Sequence, residues 1–422
     1  MISINFKKFG VSQGFLAEVA TQFSDIKTYL FSLPAGSRWF HIFYLLGPLI
    51  LLIERSPADF WLSICGLVFL CRCIVLRDWK WVRHFWVVAC LLFWLACLLS
   101  SALSSLPAYS LGEALVWIRF PLFAFASCFW LAKNRQMIAA MLGMTTLGML
   151  IMTGILIAEM LVVGQQGGRL SWPYGDLMPG NYLAKASMPA FIVIIALIMS
   201  RNKFLQKFSL FLAIFTIGAS VLTGERINLI LRLCAGFLTL CSWRANFKKL
   251  IIISAIFSML TILLFVLYDD LKVRYWNSFI RQIPLGEHSH YYQVMRGGID
   301  AFLSSPMVGI GTGNYRFICA NIIEGNPKIL CHNHPHHFYI QLLAETGLIG
   351  FLSGLLMILA ILWQVIKTRL MSRNDVIMAT AYIAPFAMFF PLQTTGDFFG
   401  QWNNIFIWSA IGLSLAARNR LT

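Results

Sequence analysis

An all-α membrane protein that crosses the bilayer many times is the fold class the sequence predicts, and three observations predict it. Of 422 residues, 59% are hydrophobic and only 12% are charged, at a mean hydropathy of +0.74. A soluble fold of this length has too little interior to bury so much apolar surface. Apolar runs that approach the length needed for a hydrocarbon core of about 30 Å recur almost end to end. The formal charge is +16, yet Lys and Arg sit in short patches between the apolar runs. There they read as topology signals and contacts to anionic phospholipid head groups, not as a nucleic-acid surface.

About twelve transmembrane helices are expected, at residues 39–53, 60–76, 84–102, 114–132, 137–162, 182–200, 206–223, 227–241, 250–268, 338–363, 376–392 and 403–417. Several are short for a bilayer. The connecting charges check the count independently. Arg77, Lys80 and Arg83 follow the second span, Lys133 and Arg135 the fourth, and Arg201, Lys203 and Lys207 the sixth. Arg244, Lys248 and Lys249 follow the eighth, Lys367, Arg369 and Arg373 the tenth, and Arg418 and Arg420 the twelfth. Every even-numbered exit is basic, so the positive-inside rule puts both termini in the cytoplasm and the odd-numbered exits outside. The chain then divides into a cytoplasmic segment 1–38, spans one to nine over 39–268, a long outer loop 269–337, and spans ten to twelve with a cytoplasmic tail over 338–422. The first 38 residues contain no compact apolar stretch with a small-residue cleavage site after Lys7 and Lys8, so no cleaved signal is expected.

The loop is the unusual part of this plan. It has about 70 residues and holds six of the eight histidines, more than a turn requires. Within it, apolar positions at helical spacing run from Tyr291 to Ser304, and Ser305-Pro306 stops them. Gly309, Gly311 and Gly313 follow as a flexible stretch able to pass close to a ligand; they lack the strand and helix context of a nucleotide loop. Eight of the ten cysteines lie in or beside apolar spans, where they read as small buried hydrophobes. Cys319 and Cys331 fall in the polar loop, twelve positions apart, and in an oxidising outer compartment a disulfide between them is expected; two free thiols are the alternative.

Three features could carry chemistry. Thr223-Gly224-Glu225-Arg226 closes the seventh span, and Arg226 is a cation where the basic-inside pattern predicts few. It is either a local partner for Glu225 or an anion clamp, since a guanidinium is permanently charged and its planar fork of donors suits phosphate oxygens. Arg296, followed by Gly297 and Gly298, is either solvated or a second cation on the same anion. The run Cys331-His332-Asn333-His334-Pro335-His336-His337-Phe338 supplies a general base or hydrogen-bonding imidazole, or, with His288 and His290, a zinc site.

These segments, together with His336-His337-Phe338-Tyr339-Ile340-Gln341 and the Leu342–Gly350 stretch after it, resemble the family of O-antigen ligases and O-antigen polymerases, bacterial inner-membrane glycosyltransferases. The similarity covers roughly residues 170–360, and the single large loop and overall length resemble a ligase more than a polymerase. It implies a GT-C type fold, a periplasmic active site and metal-independent transfer without a cofactor. The donor would be an undecaprenyl-diphosphate-linked glycan and the acceptor the lipid A-core or another glycan, with phospholipid around the protein and no nucleic acid. Arg226, Arg296 and His336 take the catalytic positions, the arginines on the diphosphate and the histidine on the acceptor hydroxyl. His337 stands where the family usually has Asn. Arg169, in Gly168-Arg169-Leu170, and Asn181, in Pro179-Gly180-Asn181, look like a glycan-side loop, and Asp397 resembles an acidic position between the last two spans; with His337 these are the expected substrate-binding residues. The same resemblance admits a polymerase of lipid-linked repeat units, and a lipid-linked glycan transporter is the reading from another class.

Overall fold

The computed structural model describes residues 24–176, 178–200, 202–242, 247–283, 286–322, 330–369, 376–391 and 396–419. Residues 1–23 of the expected N-terminal segment, and the basic positions Arg201, Arg244, Arg373 and Arg420, lie outside them. Among the described residues every regular element is a helix, with one isolated bridge between Gln166 and Arg169. The main helices are α1 Ala35–Leu45, α2 Arg55–Leu76, α3 Phe85–Ala102, α4 Pro107–Leu131, α5 Arg135–Val162, α6a Met178–Ala186, α6b Met188–Leu197 and α7 Lys203–Leu222. They continue with α8 Arg226–Ser242, α9 Phe247–Leu267, α10 His290–Ser304, α11 Tyr315–Ile322, α12 Phe338–Arg369, α13 Val376–Met388 and α14 Gln401–Asn419.

Local chemistry sets several ends. The side chain of Asn134 accepts from Met137 N at 2.9 Å to open α5, and that of Asn202 accepts from Phe204 N at 2.9 Å to open α7. Arg77 adopts a left-handed backbone (φ 53°) and stops α2.

Among the described residues six helices, α2, α3, α4, α5, α7 and α12, are long and apolar enough to cross a membrane; two bent pairs raise the number to as many as eight. The pairs are α6a with α6b, bent by 57°, and Ile251–Leu267 of α9 with Asp269–Gln282, bent by 114°. The other expected spans fall on shorter or more polar helices. The first breaks at Leu46 between α1 and Gly47–Ile50, α8 has 17 residues, and α13 has 13. Burial explains α14: it is buried at every position from Trp402 to Arg418, so its surface is set by protein neighbours and not by lipid. It packs against α13, α2, α4 and α5, while α12 runs along α3.

Outward faces carry the opposite pattern. Phe60, Leu67 and Ile74 on α2, Leu92, Leu95 and Leu99 on α3, and Leu352, Leu359 and Trp363 on α12 are exposed, whereas Trp61, Leu62, Cys65 and Phe69 of α2 are buried. A bundle with its large apolar side chains on the outside is one that lipid surrounds.

The glycine stretch is not the free segment its composition suggests. It lies along the backbone of α12: Ile310 N donates to Ala344 O at 3.0 Å, Gly311 N to Glu345 O at 2.9 Å and Leu348 N to Pro306 O at 2.8 Å. At the junction Gly347 (φ 61°, ψ −166°) kinks α12, and a side chain at Gly309 would stand 2.5 Å from the Glu345 carbonyl. The buried carboxylate of Glu345 accepts from Gly313 N at 2.9 Å and Tyr315 N at 3.4 Å, which locks the start of α11 to the same joint. Cys319 and Cys331 are bridged, tying α11 to the histidine run.

Candidate functional site

The site is assembled at the ends of helices. After α7, Gly224 (φ 69°) turns the chain against the Gly168 carbonyl and the stem of Arg169; a side chain there would collide with both. Arg169 Nη2 stands 3.5 Å from Glu225 Oε1, so the expected alternative of a Glu225–Arg226 pair gives way to Arg169 as the carboxylate's ion-pair partner. Gly180 packs on Glu225 and Thr223, which brings the Pro179-Gly180-Asn181 turn, with buried Asn181, under the same corner. Asn181 Nδ2 donates to Met178 Sδ at 3.7 Å. Arg274 Nε donates to Gly224 O at 3.2 Å. Burial pushes the Glu225 carboxyl above its ordinary range, against the opposing pull of Arg169, Arg226 and Lys185.

Arg226 begins α8. One nitrogen, Nη2, donates to Gln282 Oε1, its guanidinium carbon lies 5.7 Å from the Phe279 ring, and Nη1 is buried with no hydrogen-bond partner among the described residues. A buried guanidinium donor without an acceptor is costly unless an anion arrives to take it.

The histidines form a second group. His290 and His332 are 5.1 Å apart between ring centroids, His332 and His336 5.0 Å, and His334 and His336 4.4 Å; Tyr291 stands 6.2 Å from His336. His336 has a left-handed backbone (φ 54°), a conformation that costs a residue with a Cβ and is found where the surroundings impose it. Burial, then the neighbouring His334, His332 and His290, depress its pKa to about 3, so the ring is neutral. Burial lowers His332, His334 and His337 as well. His337 helps to start α12, because Ile340 N donates to its Nδ1 at 3.4 Å in the first turn of that helix. Among the described residues no group of three or more His, Cys, Asp or Glu is placed to hold a metal ion.

A polar cleft of about 400 Å³, lined by Ser278, Arg281, Gln282, His288 and His290, touches one partner of each group. Gln282 is the partner of Arg226, and His290 is the first ring of the chain that leads to His336. Arg296 stands differently. It is half exposed on α10 and its Nε pairs with Asp300 Oδ1 at 3.0 Å, the solvated alternative of its two sequence readings. Asp397 is no isolated surface carboxylate: it takes Arg316 Nη2 at 3.1 Å and Gln341 Nε2 at 2.6 Å, joining the α13–α14 connection to α11 and α12.

Sequence reasoning missed Arg274, Arg316 and Lys185, each unremarkable among its neighbours in the chain, and gave Gln341 and Glu345 no role beyond their place in the motif after His336. Two further cations lie inside the bundle. Lys185 is fully buried and donates to Asn403 Oδ1, and Arg232 is fully buried with Nη1 donating to Ser220 Oγ at 2.8 Å and its guanidinium 4.2 Å from the Phe191 ring.

Fold and site together define a polytopic helical membrane protein with a cationic, histidine-bearing cleft where helix ends meet. Residues 208–355, about a third of the chain, match the family model described as O-antigen ligase. The matched stretch runs from α7 into α12 and contains Arg226, Arg296 and His336; Arg169, Asn181 and Asp397 lie outside it. No curated protein matches the chain.

Proposed function

We propose that the protein is an O-antigen ligase: a twelve-span, GT-C type glycosyltransferase that moves a glycan from undecaprenyl diphosphate to a hydroxyl of the lipid A-core on the periplasmic side of the inner membrane. The observation that carries this reading is the polar cleft of Ser278, Arg281, Gln282, His288 and His290, whose Gln282 holds Arg226, an arginine with a buried Nη1 that has no hydrogen-bond partner among the described residues, and whose His290 leads through His332 to His336. An acceptor oxygen attacks the anomeric carbon, the bond from that carbon to the diphosphate oxygen breaks, and the electron pair leaves with the diphosphate. Charge grows on the leaving group, where Arg226 stabilises it most in the transition state. Arg169 and Arg274 strengthen the positive field at that corner, and Arg296 takes the far side of the diphosphate once the donor is bound. His336, neutral at rest, accepts the hydrogen bond of the acceptor hydroxyl. The incoming diphosphate raises its proton affinity, so it becomes a useful base only when the donor is in place. Arg169, Asn181, His337 and Asp397 border the glycan and acceptor. Two arginines here perform the charge neutralisation that a divalent metal performs elsewhere, and transfer therefore persists in a chelator.

Purified protein given a polyprenyl-diphosphate glycan together with lipid A-core, or with a second lipid-linked repeat unit, tests the reading. Glycan on lipid A-core is the expected product. A lengthened lipid-linked glycan would make the protein a polymerase, and movement of the donor across the bilayer without a new glycosidic bond would make it a transporter.

A further inference from the structure

After α9 the chain turns by 114° into Asp269–Gln282, three short helical pieces in direct succession: Asp269–Lys272, Val273–Asn277 and Ser278–Gln282. Its two sides differ sharply. Inward, Arg274 reaches Gly224 O, Tyr275 Oη donates to Val221 O at 3.0 Å, and Gln282 holds Arg226. Outward, Val273, Trp276, Phe279 and Ile280 are 47%, 63%, 46% and 53% exposed, an apolar stripe at helical spacing. The stripe continues the outward surface of α9, where Ile262, Val266 and Leu267 are exposed in the same way. A helix that leaves a candidate span at a steep angle, with one apolar face and one face packed on protein, has the form of an in-plane interfacial helix. Trp at its centre and Lys272 and Arg281 beside the apolar face fit the headgroup level of a bilayer.

We propose that Asp269–Gln282 lies in the membrane plane with Val273, Trp276, Phe279 and Ile280 in the leaflet that faces the cleft, and that it is the threshold over which a lipid-linked substrate enters from that leaflet. The occupant of the apolar face is phospholipid acyl chain. Continuity with the lipid-facing side of α9 argues for lipid over a second copy of the chain, and Phe279 shows what the arrangement does. Its ring sits partly in the lipid-facing stripe and 5.7 Å from the Arg226 guanidinium, so the surface a prenyl tail would touch adjoins the group its diphosphate would meet. The substrate part of this inference rests on the ligase reading; the membrane part does not.

The two parts are tested separately. A photocrosslinking benzoylphenylalanine replaces Trp276 or Ile280 in the full-length protein, reconstituted in vesicles of phosphatidylethanolamine and phosphatidylglycerol and irradiated. Phospholipid adducts at both positions, and few when exposed Gly286 of the outer loop is replaced, are expected. Crosslinks to a second copy of the chain, or accessibility of both positions to a water-soluble quencher with no lipid adduct, would overturn the membrane placement whatever the enzyme's activity. In the second arm Trp276→Glu and Ile280→Glu are compared with the unaltered protein on a long-prenyl donor and on a short, water-soluble prenyl donor. An increase in KM on the order of tenfold for the long donor, with kcat and the short donor unaffected, is expected from losing apolar contact at the entrance. Equal loss on both donors, or no change on either, would overturn the threshold. Lipid adducts from a protein with no transfer activity would leave the membrane helix standing and count against the ligase reading instead.

Discussion

His336 shows how far a single residue's chemistry depends on its setting. Because its pKa in the fold is about 3 and that of an unfolded histidine is about 6.5, the unfolded chain binds a proton that the folded one refuses throughout the interval between. Stability therefore rises with pH across that window and is lost as pH falls through it; the depressed His332, His334 and His337 act in the same sense. Melting temperature in detergent should fall between pH 7 and pH 5, and the fall should be shallower in His336→Ala. The same substitution should leave donor binding intact and slow transfer, because the imidazole serves the acceptor; unchanged transfer would remove it from the site. Arg226→Lys keeps the charge but not the fork of donors, one arm of which holds Gln282, and a loss of about 100-fold in kcat is expected. Arg296→Ala tests whether α10 joins the cleft when donor binds: transfer at the normal rate would confine Arg296 to its pair with Asp300. Arg226 was legible in the sequence because a lone cation interrupted a charge pattern. Arg274 and Arg316 were not, since each becomes special only through a partner about 50 to 80 residues away, Gly224 and Asp397 respectively.

At the scale of the element, the joint between the glycine stretch and α12 makes the firmest demand on sequence. Gly347 adopts a backbone conformation that essentially only glycine tolerates, and Gly309 has no room for a side chain against Glu345 and Gly347. Gly347→Ala should cost more than about 1 kcal/mol, visible as a lowered melting temperature before any effect on substrate affinity; an unchanged melting point would mean the kink is not required. Periodicity and punctuation made α10 legible, down to the Ser305-Pro306 stop, because those signals are local. The glycines misled, since a residue without a side chain looks alike whether it frees the backbone or lets two backbones touch. The helices α8, α13 and α14 were readable as apolar runs, but α14's enclosure was not, because burial on all sides is a property of neighbours far away in the chain.

For the whole molecule, the alternating basic connections predict which parts share a side of the membrane. Ser289 belongs to the long loop but is buried, so Gly286, exposed with open space around it, is the better reporter. A cysteine at Gly286 should be labelled from outside intact cells and one at Lys80 should not; the reverse would invert the topology and the proposed mechanism with it. Reduction should be needed before Cys319 and Cys331 alkylate. The enclosure of α14 also bears on how the protein is made. Its first turn carries Gln401, Asn403 and Asn404, Asn404 is hydrogen-bonded to Phe398 O and Gly400 O, and the helix is synthesised after every described helix that surrounds it. Until then its place in the nascent bundle is a vacant slot beside Lys185, α2 and α4, so ribosome-stalled chains ending before residue 401 should be cut readily by protease and chains that include α14 should resist. A helix enclosed on all sides by protein is thus one whose place must be held open by helices made before it.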